Sequence, residues 1–173
     1  MTRERERGTM ESLLATPVRP LEVMIGKIIP YILVGYIQVS LILLVSHFVF
    51  GVPMHGSLFL VLASVLVFLL ANPSVGILFS TIAQNQMQAM QMTFFFFLPS
   101  ILLSGFMFPF RGMPHWAQHV GEVLPLTHLL RIVRGILLKG NGVQDVVPHL
   151  GPLLLFMLVV ILIGLKRYRR TLD

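Results

Sequence analysis

His115 and His119 stand four residues apart, the spacing at which two imidazoles share one face of a helix and can close on a metal ion. No Glu lies between them in the HExxH pattern and no Asp follows nearby, so the pair reads as interfacial hydrogen bonding and no metal site is expected. The apolar stretches lack the Gly-x-Ser elbow or the aspartate pair that an intramembrane protease needs. No GxxxxGK[ST] run occurs, so the chain does not hold a nucleotide in the P-loop manner. With no cysteine, disulfides and thiol-ligated metals are excluded. Between Lys27 and Arg111 there is no Asp, Glu, Lys or Arg, which removes the intramembrane charge that an ion-coupled carrier or voltage sensor ordinarily uses. The sequence offers no catalytic residue, no bound cofactor and no engine of its own.

The elements that carry these residues belong in a membrane. Charged residues make up 12% of the chain and mean hydropathy is +0.85, whereas soluble folds carry about 25% charged residues. A bilayer core needs roughly 20 apolar residues per helix, and this predicts an all-α membrane protein with four spans. They fall at about 20–50, 57–83, 90–110 and 148–166. The first is too long for a signal-peptide core and lacks a small-residue cleavage site. Arg3, Arg5, Arg7, Arg19 and Lys27 precede the first span, and Lys166, Arg167, Arg169 and Arg170 follow the last. The positive-inside rule then places both termini, including the basic tail 167–173, in the cytoplasm. The same clustering assigns the net charge of +6 to topology and lipid headgroups, with no nucleic-acid role. Within the spans, Gln38, His47, Asn72, Ser100 and Ser104 are candidates for interhelical hydrogen bonds or a substrate path. Pro73 and Pro99 are expected to kink their helices.

Two polar regions interrupt the wall. In "RERERGTMESLLATPVRP" (3–20), Thr9 can cap a helix, Glu11 suits its positive end, and Met10, Leu13 and Leu14 make a narrow apolar edge. Thr16-Pro17 stops it. Residues 1–19 thus read as a linker and amphipathic helix on the cytoplasmic face, fit either for lipid anchoring or, given the mixed charge, for a protein partner. The second region, 111–147, holds Met113 and Trp116 at an expected interface and two helical patterns separated by Pro125. The second pattern, about 127–139, could be capped by Thr127 and ends at Gly140-Asn141-Gly142. It is too short to cross a bilayer and carries Arg131 and Arg134, so the pair is expected to enter the outer leaflet and turn back. Its charges snorkel outward or pair with Glu122.

"ERERGTMESLLATPVRPLEVMIGK" (4–27) resembles the coupling-helix segment of ABC-2 type permeases, the membrane subunits of bacterial ABC exporters. "LPLTHLLRIVRGILLKG" (124–140) resembles that family's re-entrant segment, and "LLSGFMFPFRGMP" (102–114) the end of the helix before it. The resemblance covers the whole chain and is closest to the multidrug-type inner-membrane branch. It implies that the cytoplasmic helix docks on a separate ATPase, with Glu4, Arg7, Gly8, Thr9, Glu11 and Leu14 as coupling residues. It implies ATP and Mg on that partner and none on this chain, and a second permease subunit, identical or different. Family members carry a further membrane helix, a large extracytoplasmic domain and a second helix ahead of the ERERGT segment, so a truncated C-terminal half is expected. The other function open to the residues is a non-transporting membrane scaffold that recruits a cytoplasmic partner.

Overall fold

A computed structural model describes residues 20–170; their regular elements are all helices, with no strand among them. The elements are α1 (Pro20–Phe48), α2 (Leu58–Ile82), α3 (Gln86–Leu103), a 3-10 turn (Phe110–Gly112), α4 (His115–Val123), α5 (Pro125–Lys139) and α6 (Val143–Arg170). Three of them contain stretches long and apolar enough to cross a membrane: Ile28–Phe48, Leu58–Ile82 and Val143–Lys166. The segment expected as a span at 90–110 holds the 18-residue α3, which begins earlier, at Gln86, and is not among these three. Its start lies in the polar run, because Asn85 accepts from the Gln88 amide at 2.8 Å and Gln88 Oε1 accepts from the Gln84 amide at 2.7 Å. The Asn-x-x-Gln pair thus acts as a variant capping box, its Gln reaching the residue before the cap. Its end is set by Ser104 and by Gly105, whose φ of +84° leaves the right-handed helix.

Helix α2 is the hub, touching α1, α3, α5 and α6, with its most extensive contact along α6. Small buried residues, Ser64, Ala71 and Ser74, let the neighbouring backbone approach. On α6 the buried Val146, Leu153 and Val160 recur every seven residues, the period of a straight helix–helix seam. Against α1, Gly35 leaves room for Leu69, and Tyr36 donates its hydroxyl to the Leu62 carbonyl at 3.0 Å.

Prolines 73 and 99 lie inside continuous helices. Next to each, a serine donates back to its own helix: Ser74 to the Leu70 carbonyl at 2.7 Å and Ser100 to the Phe96 carbonyl at 2.6 Å. Ser46, Ser64, Thr81, Thr93 and Ser104 do the same. Such bonds keep hydroxyls satisfied where water is scarce.

Two glycines mark the closest approaches to another segment's backbone. A Cβ on Gly56 would lie 2.5 Å from the Ile136 carbonyl oxygen, and one on Gly121 would lie 2.5 Å from that of Leu103. Both neighbours are backbone and cannot swing aside. Gly121→Ala is therefore expected to destabilise the helical hairpin by about 1–3 kcal/mol, the usual cost of overpacking. A thermal melt in detergent reads this as a lowered midpoint, while Gly76→Ala, with open space at the added Cβ, leaves it unchanged or raised.

Candidate functional site

The hairpin α4–α5 gathers the polar chemistry of the described chain. Pro125 sits at the first helical position of α5, where its missing N–H costs nothing. The cap expected from Thr127 is not formed: Leu124 occupies that position, and Thr127, inside the first turn and fully buried, donates to the Gly121 carbonyl at 2.6 Å. The early start at Pro125 moves its hydroxyl from cap to cross-brace. Beside it, His128 Nε2 lies 2.7 Å from the Glu122 carbonyl. Two side chains of α5 thus bond carbonyls at the C-terminus of α4, where the Gly121 oxygen also accepts the Leu124 amide at 3.1 Å. At its other end α5 closes on Gly140, φ +69°, with the Gly140 amide donating to the Ile136 carbonyl and the Asn141 amide to that of Gly135. This is the glycine stop expected from Gly140-Asn141-Gly142, in the αL form with its five-to-one bond from Gly140 to Ile136.

Arg131 and Arg134, one turn apart, tie α5 to the α3–α4 connection. The Arg131 guanidinium lies over the Phe110 ring at 4.4 Å, and its Nη2 is 3.9 Å from Glu122 Oε1. With Glu122 55% and Arg131 31% exposed, that ion pair contributes little by itself. Arg134 Nη1 donates to the Gly105 carbonyl at 3.1 Å. The pairing with Glu122 expected from sequence is present, and both guanidiniums also hold the bend at 105–110.

The apolar face of α5, with Ile132, Ile136 and Leu137, packs into one cluster with Leu43, Val61, Val65 and Val146. Val61 and Val65 lie within roughly 10 Å of the start of α2 at 1.5 Å per residue, and Leu43 and Val146 are as near to one end of α1 and α6. Helix α5 therefore sits beside the same end of three spans. The 49–57 connection closes over it, the His55 amide donating to the Leu137 carbonyl at 3.2 Å.

The remaining sequence-derived residues are dispersed. Gln38 and Asn72 lie on exposed helix faces, while Ser100 and Ser104 are buried and bonded to their own helix, so the four do not converge on one path. His115 and His119 are both exposed, and no group of three or more potential metal ligands occurs among the described residues. Glu4, Arg7, Gly8, Thr9, Glu11 and Leu14 lie outside the described residues. Sequence reasoning missed Tyr36 and His128. His128 was legible, since it shares the 3.6-residue stripe of Ile132 and Ile136.

The sequence model of the ABC-2 type transporter matches residues 1–138, most of the chain. The protein belongs to the ABC-2 type transporter family. Over its full length it is 39% identical to the "Probable multidrug ABC transporter permease YbhS" of Escherichia coli K12 and 36% identical to that organism's "Inner membrane transport permease YhhJ". It is 27% identical, over 95% of its length, to the "Linearmycin resistance permease protein LnrN" of Bacillus subtilis. The chain spans less than half of each relative, 46%, 46% and 43% respectively. No solved structure matches it. Its family and its apolar helices make it a multi-pass membrane protein.

Removing the Arg134 donor frees the Gly105 carbonyl and loosens the bend. Arg134→Met is expected to raise amide exchange across 104–112 by roughly three- to ten-fold, the effect of about one charged hydrogen bond on a partly exposed site, measured by mass spectrometry in detergent. Arg134→Lys, which keeps a donor, should fall between the two.

Proposed function

We propose that this chain supplies membrane-embedded elements of a permease subunit of an ABC exporter in a bacterial inner membrane. It moves substrate with ATP that is hydrolysed, with Mg, on a separate subunit. The observation that carries the reading is the family match through residues 1–138, which takes in both the ERERGT segment and most of the hairpin. Chemistry agrees, because the sequence contains no P-loop and no charge between Lys27 and Arg111 to couple an ion gradient. A separate ATPase is the source of force in this reading.

In this reading α1, α2, α3 and α6 are four spans, with both termini cytoplasmic by the Lys and Arg at their ends. The hairpin α4–α5 is a re-entrant element in the outer leaflet, supported by the packing of α5 beside one end of three spans. Its charged side chains point to the bend at 105–110, so the apolar face enters and the guanidiniums stay near water. The exposed apolar faces left on the spans contact lipid and a second permease subunit. The helix at about 8–16 docks on the ATPase, with Leu14 on its apolar edge and Glu4, Arg7, Gly8, Thr9 and Glu11 giving its register.

Leu14→Asp places a charge in that contact. Co-purification of the ATPase should fall at least ten-fold while membrane insertion is unchanged, the cost of burying an unpaired carboxylate. Undiminished capture of the ATPase by Leu14→Asp contradicts the assignment. A scaffold would bind the partner with no dependence of ATP hydrolysis on Glu11 or Leu14.

A further inference from the structure

The bend at 105–110 gathers more positive charge than the protein answers. Arg134 gives one N–H to the Gly105 carbonyl at 3.1 Å, and the Arg131 guanidinium lies over the Phe110 ring at 4.4 Å. A Cβ on Gly105 would stand 3.3 Å from that of Phe110, so the two guanidiniums meet one small surface. Arg111 follows Phe110 in the same 3-10 turn and is exposed. Glu122 is the carboxylate beside them, half exposed and 3.9 Å from Arg131, beyond hydrogen-bond length. Among the described residues neither Arg111 nor Arg134 has a carboxylate within ion-pair reach, and Asp145 is engaged by the Gly142 amide at 3.2 Å. Three guanidiniums therefore share one weakly held carboxylate, and most of their N–H donors have no acceptor in the described chain.

The same bend is apolar between its polar ends. Phe106, Met107 and Phe108 are 61%, 61% and 55% exposed, three large side chains in a row that nothing in the described chain covers. An exposed apolar run beside a cluster of cations matches an amphiphile, with an anion for the guanidiniums and hydrocarbon for the rings. Position says which amphiphile. The bend closes the interval without charge that runs from Lys27 to Arg111, and hydrocarbon gives way to headgroups where such an interval ends. The anion at that depth is the phosphate of a phospholipid, whose oxygens the guanidinium fork matches. A headgroup carrying its own cation would be repelled by the surplus arginine charge, so the favoured lipid is one with net negative charge.

We propose that the bend binds an anionic phospholipid, its phosphate held by Arg131 and Arg134, with Arg111 adding attraction and an acyl chain lying along Phe106, Met107 and Phe108. The lipid supplies the acceptors that the protein lacks and ties the hairpin to the membrane surface. The site rests on the reading that seats the hairpin at the bilayer boundary, and it needs neither an ATPase nor transport.

The chain has no cysteine, so a single bimane fluorophore on Phe108→Cys reads the lipid beside the bend and not lipid held by basic residues elsewhere. The whole chain is placed in phosphatidylcholine vesicles with a minor share of phosphatidylglycerol. Bromine is carried on the chains of the phosphatidylglycerol or, in a second set, on an equal share of the phosphatidylcholine. The relative affinity drawn from quenching should favour the anionic lipid at least about five-fold, the attraction of roughly one positive charge near a surface. Glu122→Gln, which removes a negative charge and no donor, should raise that ratio, and Arg131→Gln together with Arg134→Gln should bring it to about one. The same probe at Leu41→Cys, exposed on α1 within the charge-free interval, should read about one throughout. Equal quenching by the two lipids at Phe108, an equal preference at Leu41, or a ratio that Glu122→Gln leaves unchanged overturns the proposal. Glu122→Gln decides the matter even where the double variant fails to fold. A preference abolished by millimolar inorganic phosphate would assign the patch to the free anion and overturn the lipid. A probe that neither lipid quenches takes the hairpin out of the bilayer and overturns both readings, whereas equal quenching defeats the lipid site alone.

Discussion

A hydroxyl or backbone amide in hydrocarbon has no water to turn to, and from Ile28 to Phe110 the chain carries no charge to recruit it. Everything polar in that interval must find a partner in protein. The structure meets this locally: serines and threonines return their hydrogens to the preceding turn, including the serines that follow Pro73 and Pro99. Tyr36, which reaches across to the Leu62 carbonyl, shows the other solution, in which one helix satisfies another. With these hydroxyls answered from within, apolar surface is free to set the packing. Helix α2, lined with small residues, becomes the axis on which the others assemble.

The hairpin obeys the same constraint under harder terms, because α5 joins an apolar face to two arginines. Its Ile132 and Ile136 enter the cluster between α1, α2 and α6, while Arg131 and Arg134 are drawn to the bend at 105–110, one over a ring and one on a carbonyl. Glycines at both ends permit the fit, Gly121 against Leu103 and Gly56 against Ile136. A helix too short to span is thereby held firmly at one end of three that can. The contact between the His128 and His149 rings, centroids 5.8 Å apart, is one place where it meets the last helix.

Much of this was legible in the residues. Periodicity and the absence of charge located the apolar helices, and Gly140-Asn141-Gly142 stopped α5 where it ends. Pro125 separated the two hairpin helices, although as the first residue of α5 and not a spacer before it. What escaped were features fixed by partners distant in sequence. Thr127 looked like a cap because Ser and Thr before an apolar run usually are one, and only the presence of the α4 carboxyl end above it turns its hydroxyl there. The start of α3 in a glutamine-rich run was hidden by its polarity, although Asn85 and Gln88 carry the capping signature. Gln38 and Asn72 stood out as polar residues in spans, yet both are exposed, and no sequence period separates a buried amide from an exposed one in a helix that is apolar all round.

The central claim is that the hairpin rests at the bilayer boundary, with its apolar side in the membrane and its charges near water. Trp116, the one tryptophan in the sequence and exposed on α4, reports this directly. In vesicles made with lipids brominated at different depths, its emission should be blue-shifted, quenched most by the bromines nearest the headgroups, and protected from aqueous iodide, as befits an interfacial ring. Red-shifted emission quenched by iodide and indifferent to the brominated lipids would place α4 in water and contradict the account.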